Sequence, residues 1–154
     1  NKFSSSQPIF DINKIEQYNV QLLRSMPISE LKNYCKEADE KILSLIQPNI
    51  SSVAELNELY KIFIDGFTIN KAVKDELANY ANDFANTMQE LLQNEKIPYK
   101  DLTSSLTKAL DVKGKKLFMP LRIILTGTTS GPNLNELYDL LSQRELLNRI
   151  KQCL

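Results

Sequence analysis

Basic side chains concentrate in one short stretch of this 154-residue chain. Between positions 108 and 124, five cations are opposed by a single carboxylate, that of Asp111. The five are Lys108, Lys113, Lys115, Lys116 and Arg122. Ammonium and guanidinium groups at this density attract phosphate, and an arginine can also form two parallel hydrogen bonds with a base edge. These residue types therefore favour the binding of a nucleic acid.

The sequence lacks the residue types that acid–base catalysis at neutral pH requires. It contains no histidine, and its carboxylates fall on the solvent faces of the expected helices. The segment KGKK at 113–116 lacks the spacer and the terminal Ser or Thr of a phosphate-cradling loop. Cys35 and Cys153 have no metal-ligand spacing, and we expect both to be buried small hydrophobes. We predict no catalytic residue, no metal site and no cofactor in this chain.

The net charge is zero, with 19 basic and 19 acidic residues. Residues 101–154 carry eight basic and five acidic groups, whereas residues 51–100 carry five basic and eight acidic groups. A local basic patch on a neutral protein indicates a specific RNA contact rather than non-specific binding to any polyanion.

No apolar run approaches the roughly 18–20 residues of a membrane span. We expect a soluble monomer in the cytoplasm, with an organellar location left open.

Apolar residues recur at helical spacing throughout, and glycine is scarce. The segment 117–125 also suits a strand, but a lone strand would have no partner, so we predict a short helix that places Phe118 in the core. We predict an all-α bundle or cage of about seven to nine helices, as one compact unit or two small packed subdomains. A break is expected at Gly66, a loop at 113–116 and a C-cap at Gly127. One helix is expected from Ser29 to Ile46, closed by Pro48, and a longer one from near Lys71 to near Gln93. The other expected helices start at Asp11, at the capping box Ser52–Glu55, at Asp101 or Thr103, at Leu117, at Pro132 and before Leu146.

Residues 114–127 read GKKLFMPLRIILTG. This segment closely resembles GKxLFxPLRxALTG in the anticodon-binding region of bacterial-type glutamyl-tRNA synthetases, with a mismatch at Ile124. Downstream, residues 131–134 and 140–150 resemble the family's GPEL and LLGKERxLxRL; upstream, residues 10–24 resemble FDxxKLxWxNxxYIR. Tyr18 stands one place from the usual Trp, and Leu22 replaces a Tyr. The middle of the chain agrees only as a helical pattern.

The resemblance implies that Arg122 and Arg24 face the anticodon of a tRNA. From the residue types we add Phe118 and Met119, which could stack on an unpaired base, although we expect Phe118 to lie in the core. Backbone N–H groups at the start of a helix could also contact the RNA. At that helix start the candidates are Pro132 and Leu134. The candidate phosphate contacts are Lys113, Lys115 and Lys116.

Each candidate also has a simpler structural explanation. Arg122 could pair with a neighbouring carboxylate, and Arg24 could be placed by the dipole at the end of its helix. The segment 131–134 could simply cap a helix through Asn133. The three lysines could be no more than a solvated loop.

By resemblance, the parent protein attaches glutamate to tRNA(Glu) with ATP and Mg²⁺. The family's HIGH-type and KMSKS-type ATP signatures do not occur in these residues, so we expect the catalytic Rossmann domain to be absent from this chain. Residues 1–33 would then approximately end a first helical subdomain, and residues 34–154 would form the C-terminal one. The alternative is an intracellular helical protein–protein interaction module. Whether the parent also charges glutamine tRNA stays open.

Overall fold

The computed structural model describes residues 11–64, 68–80 and 83–154, which form helices and connecting turns without a strand. The all-α prediction is therefore confirmed. The described residues contain ten α-helices, more than the seven to nine expected, and two short 3-10 turns at Lys32–Tyr34 and Gln47–Asn49. No helix in this part of the chain is long and apolar enough to cross a membrane. The helices are α1 (Ile12–Ser25), α2 (Ile28–Leu31), α3 (Glu40–Ile46), α4 (Val53–Ile64), α5 (Lys71–Ala78), α6 (Phe84–Leu92), α7 (Tyr99–Leu110), α8 (Lys115–Thr126), α9 (Leu134–Leu140) and α10 (Gln143–Cys153).

Several helix ends lie where the cap residues predict them. The Asp11 side chain accepts a hydrogen bond from the backbone N–H of Lys14, and α1 ends before Pro27. Gly127 follows α8 with a left-handed φ of 69°, which glycine adopts without steric cost. At the start of α4, the Ser52 hydroxyl accepts from the N–H of Glu55. The expected break at Gly66 and the first residue of the 10–24 segment lie outside the described residues.

The single helix predicted from Ser29 to residue 46 is wrong. The chain leaves the helical conformation at Cys35, with φ −146° and ψ 76°, and α3 begins only after Asp39. The carboxylate of Asp39 accepts from the N–H of Lys41 at 2.7 Å. A short polar side chain that satisfies the first N–H groups of a new helix offers the backbone an alternative to continuing the old one.

The long helix predicted near residues 71–93 is also wrong, because α5 ends at Ala78. The N–H groups of Asn79 and Tyr80 bond to carbonyls three residues back, which closes the helix with a tight turn. The new helix α6 then buries Phe84, Met88 and Leu92 completely. Helical spacing alone does not distinguish one long helix from two shorter ones that pack separately.

Three boundaries near the candidate site differ from the sequence predictions. Helix α7 begins at Tyr99, ahead of the predicted start, because the carbonyl of Pro98 accepts from the first-turn N–H groups. Helix α8 begins at Lys115, so the predicted loop is shorter by two residues. Pro132 precedes the N-cap Asn133 instead of opening α9.

Buried apolar side chains form two clusters. One contains residues from α3 and from α5 to α10, and the other contains residues from α1 to α4. Phe63, near the end of α4, is partly buried and packs against both clusters. The two apolar clusters are therefore in contact through α4. The subdomain boundary near residue 33 stays a prediction.

A buried arginine joins helices from both clusters. Arg149 on α10 is 4% exposed, and its Nη2 donates to the carbonyl of Ile62 on α4 at 2.8 Å. Its Nη1 donates to the carbonyl of Leu125 on α8. Burial lowers the pKa of Arg149 to about 10, with the charge of Glu145 opposing that shift. The guanidinium is therefore still charged at pH 7, and it lies at the negative ends of two helices.

Replacing Arg149 by methionine should lower the free energy of unfolding by about 2–4 kcal/mol, because two carbonyls lose a charged donor. Urea-induced unfolding followed by circular dichroism measures the change. Arg144→Met, at an exposed position of the same helix, is the matched control and should cost less than about 0.5 kcal/mol. Equal losses for the two variants would show that the hydrogen bonds of Arg149 do not stabilise the fold.

Candidate nucleic-acid interface

One face of α8 carries four of the residues considered for RNA contact. Lys115, Phe118, Met119 and Arg122 are spaced by three and four residues, which places them on the same side of a helix. Lys115 and Phe118 are exposed, whereas Met119 and Arg122 are half-buried. The opposite face is buried in the larger cluster through Leu117, Leu121 and Ile124. The core therefore fixes the orientation of the face that carries these four side chains.

Phe118 is 46% exposed, so its predicted place in the core is wrong. The helix turns its ring to the Lys115–Arg122 side, since the opposite side already holds the aliphatic residues of 117–125. An exposed aromatic ring beside cations is the arrangement on which an unpaired base can stack. Met119 packs partly against the core and offers only part of its side chain.

The guanidinium of Arg122 is held by a main-chain carbonyl. Its Nη1 donates to the carbonyl of Pro132 at 3.0 Å. The positive charge of Arg122 also acts on Tyr99: burial raises the pKa of the Tyr99 hydroxyl, and this charge opposes the rise. Among the described residues, Arg122 forms no ion pair with a carboxylate. The simpler explanation, an arginine paired with an acidic neighbour, is therefore not what the structure contains.

The segment that bears Pro132 is folded against the end of α8. The hydroxyl of Thr126 is 2.7 Å from the carbonyl of Arg122 and 3.1 Å from the backbone N of Thr128. The hydroxyl of Thr128 then donates to the carbonyl of Ser130 at 2.6 Å. Gly131 follows with φ +135°, a conformation that L side chains rarely adopt.

At the start of α9, two of the N–H groups that could have contacted RNA are bonded within the protein. The Asn133 side chain accepts from the N–H groups of Asn135 and Glu136, at 2.9 and 3.4 Å. Pro132 and Leu134 are buried, and Leu134 belongs to the larger cluster. Ordinary capping therefore accounts for this helix start, and the contact that Pro132 makes at the candidate site is its carbonyl bond to Arg122.

The three lysines of the basic loop are exposed. Lys113 precedes Gly114, whose φ of 54° turns the chain into α8, and Lys115 and Lys116 form the first two helical positions. Cations at a helix N-terminus oppose the helix dipole, and no acidic residue occurs in this first turn. None of the three forms a salt bridge within the described residues. Their positive charge is thus concentrated at this end of α8 without being neutralised.

Arg24 makes its contact away from the α8 face. It lies in the last turn of α1, and its Nε donates to the carbonyl of Ile50 at 3.0 Å. The residue is exposed. Both candidate arginines thus use one nitrogen to hold a carbonyl of another segment, which orients the remaining N–H groups. The dipole at the end of α1 favours the same position for Arg24.

Tyr99 is the candidate neighbour that sequence reasoning missed. Its ring lies 5.5 Å from the ring of Tyr138, whose hydroxyl donates to the carbonyl of Ile97 at 2.6 Å. Lys96 lies over the ring of Tyr138, with its Nζ 4.9 Å from the ring centroid. Tyr99 and Arg122 come from different helices, so no periodic pattern in either helix reveals that one acts on the other.

Of the two cysteines, Cys153 is buried as predicted and Cys35 is only half-buried.

The family model described as an anticodon binding domain matches residues 15–154. The chain belongs to the anticodon-binding domain family. Curated relatives include glutamate–tRNA ligase 1 of Rickettsia felis, 28% identical over 156 residues, and glutamate–tRNA ligase of Bacillus pumilus, 28% identical over 176 residues. These matches cover 96% and 99% of this chain but 34% and 36% of the relatives, so the chain spans about a third of their length.

A solved structure has the same fold as this anticodon-binding domain. It is a glutamate tRNA ligase from Elizabethkingia meningosepticum CCUG26117, in complex with its amino acid. The match has a TM-score of 0.72 and 23% sequence identity, and it covers 94% of this chain and 32% of that structure. The prediction of an all-helical anticodon-binding fold is confirmed.

The exposure of Phe118 yields a stability test. Phe118→Ala should lower the free energy of unfolding by less than about 1 kcal/mol, since the ring already contacts water. Leu121→Ala, on the buried face of the same helix, should cost about 2–5 kcal/mol because it leaves a cavity. Urea titrations of both variants measure the difference. A loss at Phe118 as large as that at Leu121 would place the ring in the core after all.

Proposed function

We propose that this domain recognises the anticodon of a glutamate tRNA as part of a glutamate–tRNA ligase. The observation that carries the proposal is the anchored guanidinium of Arg122 on the α8 face. One of its nitrogens holds the carbonyl of Pro132, and its Nε and Nη2 have no hydrogen-bond partner among the described residues. A fixed guanidinium edge of this kind can form two parallel hydrogen bonds with a base. Family membership supports the anticodon as the source of that base.

The charge at the start of α8 supports an RNA backbone as the second element recognised. Lys115 and Lys116 stand where the helix dipole is already positive, which is mildly destabilising for the protein alone. A phosphate group at this position would neutralise both the lysines and the dipole. Lys113, in the preceding loop, would contribute in the same way.

Stacking would complete the recognition of single-stranded RNA. The exposed ring of Phe118 and the accessible part of Met119 lie between the lysines and Arg122 on the same helix face. Aromatic stacking is tolerant of base identity, so it would position the loop while Arg122 reads it. Arg24, at the end of α1, would contact a different base of the anticodon.

The ligase reaction itself would take place outside these residues. We propose that ATP and Mg²⁺ are bound by another part of the ligase, and that this domain by itself neither activates glutamate nor charges tRNA. The proposed ligase is a cytoplasmic monomer. Whether it also accepts glutamine tRNA depends on how tightly the anticodon is read.

A helical protein-interaction module is the alternative function. The exposed apolar side chains of Ile12, Tyr18 and Leu22 on α1 favour it, since such residues often mark a protein-binding surface. This alternative predicts no salt-sensitive binding of tRNA and no effect of changes at Arg122. The two binding experiments below therefore distinguish the functions.

Replacing Lys115 and Lys116 together by alanine should weaken the binding of all tRNAs to a similar extent. It should also flatten the slope of log affinity against log salt by about one to two units, at about 0.9 or less for each phosphate contact. Fluorescence anisotropy of the 154-residue chain with labelled transcripts at several salt concentrations measures both quantities. Lys41→Ala with Lys151→Ala removes the same charge from other exposed positions and should leave the slope nearly unchanged. An unaltered slope in the first variant would mean that the loop does not contact the RNA backbone.

Replacing Arg122 by alanine should cost about 1–3 kcal/mol of binding free energy with glutamate tRNA, the range for a bidentate base contact. The loss should shrink with a tRNA whose anticodon is already altered, because the contact is then missing in both states. Arg24→Gln should have a smaller effect on glutamate tRNA and should alter the preference between anticodons that differ at the third base. Binding constants for each protein–RNA combination give the coupling energies.

The control for Arg122 is Arg122→Lys, which keeps the charge and loses the two-pronged geometry. It should lose most of the anticodon preference while retaining the salt dependence. If either arginine variant loses the same free energy with matched and altered anticodons, that arginine is an electrostatic contact only.

A further inference from the structure

Four hydrogen bonds, together with the main chain of residues 130–132, form a closed ring around Arg122. The ring leaves α8 through the carbonyl of Arg122, which accepts from the buried Thr126 hydroxyl at 2.7 Å. It continues through Thr128, whose N–H donates to Thr126 and whose hydroxyl donates to the carbonyl of Ser130. It returns through Pro132, whose carbonyl accepts from the Arg122 side chain at 3.0 Å. The main chain and the guanidinium of one residue are thus joined through a single loop.

Each hydroxyl in the ring has a defined part. The Thr126 hydroxyl carries one proton, which it donates over the shortest of its contacts to the carbonyl of Arg122, so it acts as acceptor toward the N–H of Thr128. Thr126 is only 3% exposed and therefore cannot itself reach a bound RNA. Removing its hydroxyl would release the first residues of the loop from the end of α8.

The backbone at Gly131 requires the same loop path. A Cβ atom there would lie 3.8 Å from Nη1 of Arg122 and 3.9 Å from the Thr128 hydroxyl, which is ordinary contact. Space is therefore available, and the φ of +135° is what disfavours a side chain. The loop needs this conformation to turn the Pro132 carbonyl back toward α8.

We propose that Thr126 and Thr128 are positioning residues that fix the direction of the Arg122 guanidinium by holding the Pro132 carbonyl in place. The proposal deepens the function proposed above, since the orientation of Arg122 matters only if its free edge reads a base. The ring sets that edge before RNA arrives, so the cost of ordering a long side chain is met during folding instead of during binding.

The first test needs no RNA. Nitrogen-15 spectra of the 154-residue chain at low temperature report whether rotation about the Arg122 guanidinium bonds is slow, and Arg122→Lys assigns the signals. The unmodified chain and the Thr126→Ser variant should show separate signals for the Arg122 guanidinium nitrogens. In the Thr126→Val variant, these signals should merge because rotation becomes fast. Arg24, held by the carbonyl of Ile50, serves as the internal reference and should not change. An Arg122 signal unaffected by Thr126→Val would overturn the proposal.

The second test measures the preference for glutamate tRNA over a transcript with an altered anticodon. Thr126→Val and Thr128→Val should each reduce this preference about threefold to tenfold, the effect of one hydrogen bond, and should leave the salt slope unchanged. Thr126→Ser should restore it. Thr128 lies in the loop beyond α8 and is half-buried, so its variant keeps the proposal testable if Thr126→Val unfolds.

Ile46→Val, in the smaller core cluster, is the control for a general loss of stability of about 0.5–1.5 kcal/mol. It should change neither the Arg122 signals nor the anticodon preference. If it acts like Thr126→Val, the ring has no specific role. If Arg122→Lys leaves the anticodon preference intact, the function proposed for Arg122 fails. The nitrogen-15 spectra then still show whether the threonines position the Arg122 guanidinium. If Arg122→Lys abolishes the preference and the threonine variants do not reduce it, only the positioning inference fails.

Discussion

The buried guanidinium of Arg149 is the interaction on which the arrangement of this domain depends. It reaches from α10 to carbonyls near the ends of α4 and α8, and these two helices contribute to different apolar clusters. A charge in a buried position is stable only when its donors are satisfied, so the three helices must keep these relative positions. The end of α8 fixed in this way is also where the loop of residues 127–132 begins, and that loop carries the Pro132 carbonyl that holds Arg122.

Cations elsewhere in the domain serve the same purpose on a smaller scale. Helix ends and turns leave carbonyls without an intrahelical donor, and long basic side chains reach them from other parts of the chain. Each bond satisfies a carbonyl, joins two segments and orients a charged group at the surface. The pairs are Arg24 with Ile50, Arg122 with Pro132, Lys74 with Gln152, and Lys96 with Asp139 and Leu141.

Helix α8 combines opposite demands in one short element. Its buried face, which includes Leu121 and Ile124, contributes hydrophobic stabilisation to the larger cluster. Its exposed face begins with Lys115 and Lys116 against the helix dipole, which is slightly unfavourable without a ligand. The large apolar burial offsets this small cost, so the helix can present unpaired positive charge without losing its structure.

The sequence by itself determined the all-α class, the family and several helix ends, because these depend on local chemistry such as the Asp11 cap and the Gly127 turn. It also supplied the basic loop and Arg122 as candidate site residues, because their residue types occur together in one segment. Only the tertiary structure divided the predicted long helices, since packing decides whether a continuous apolar pattern stays in one piece. It alone placed Phe118 at the surface and Tyr99 against Tyr138, because contacts between segments distant in the sequence leave no local pattern to read.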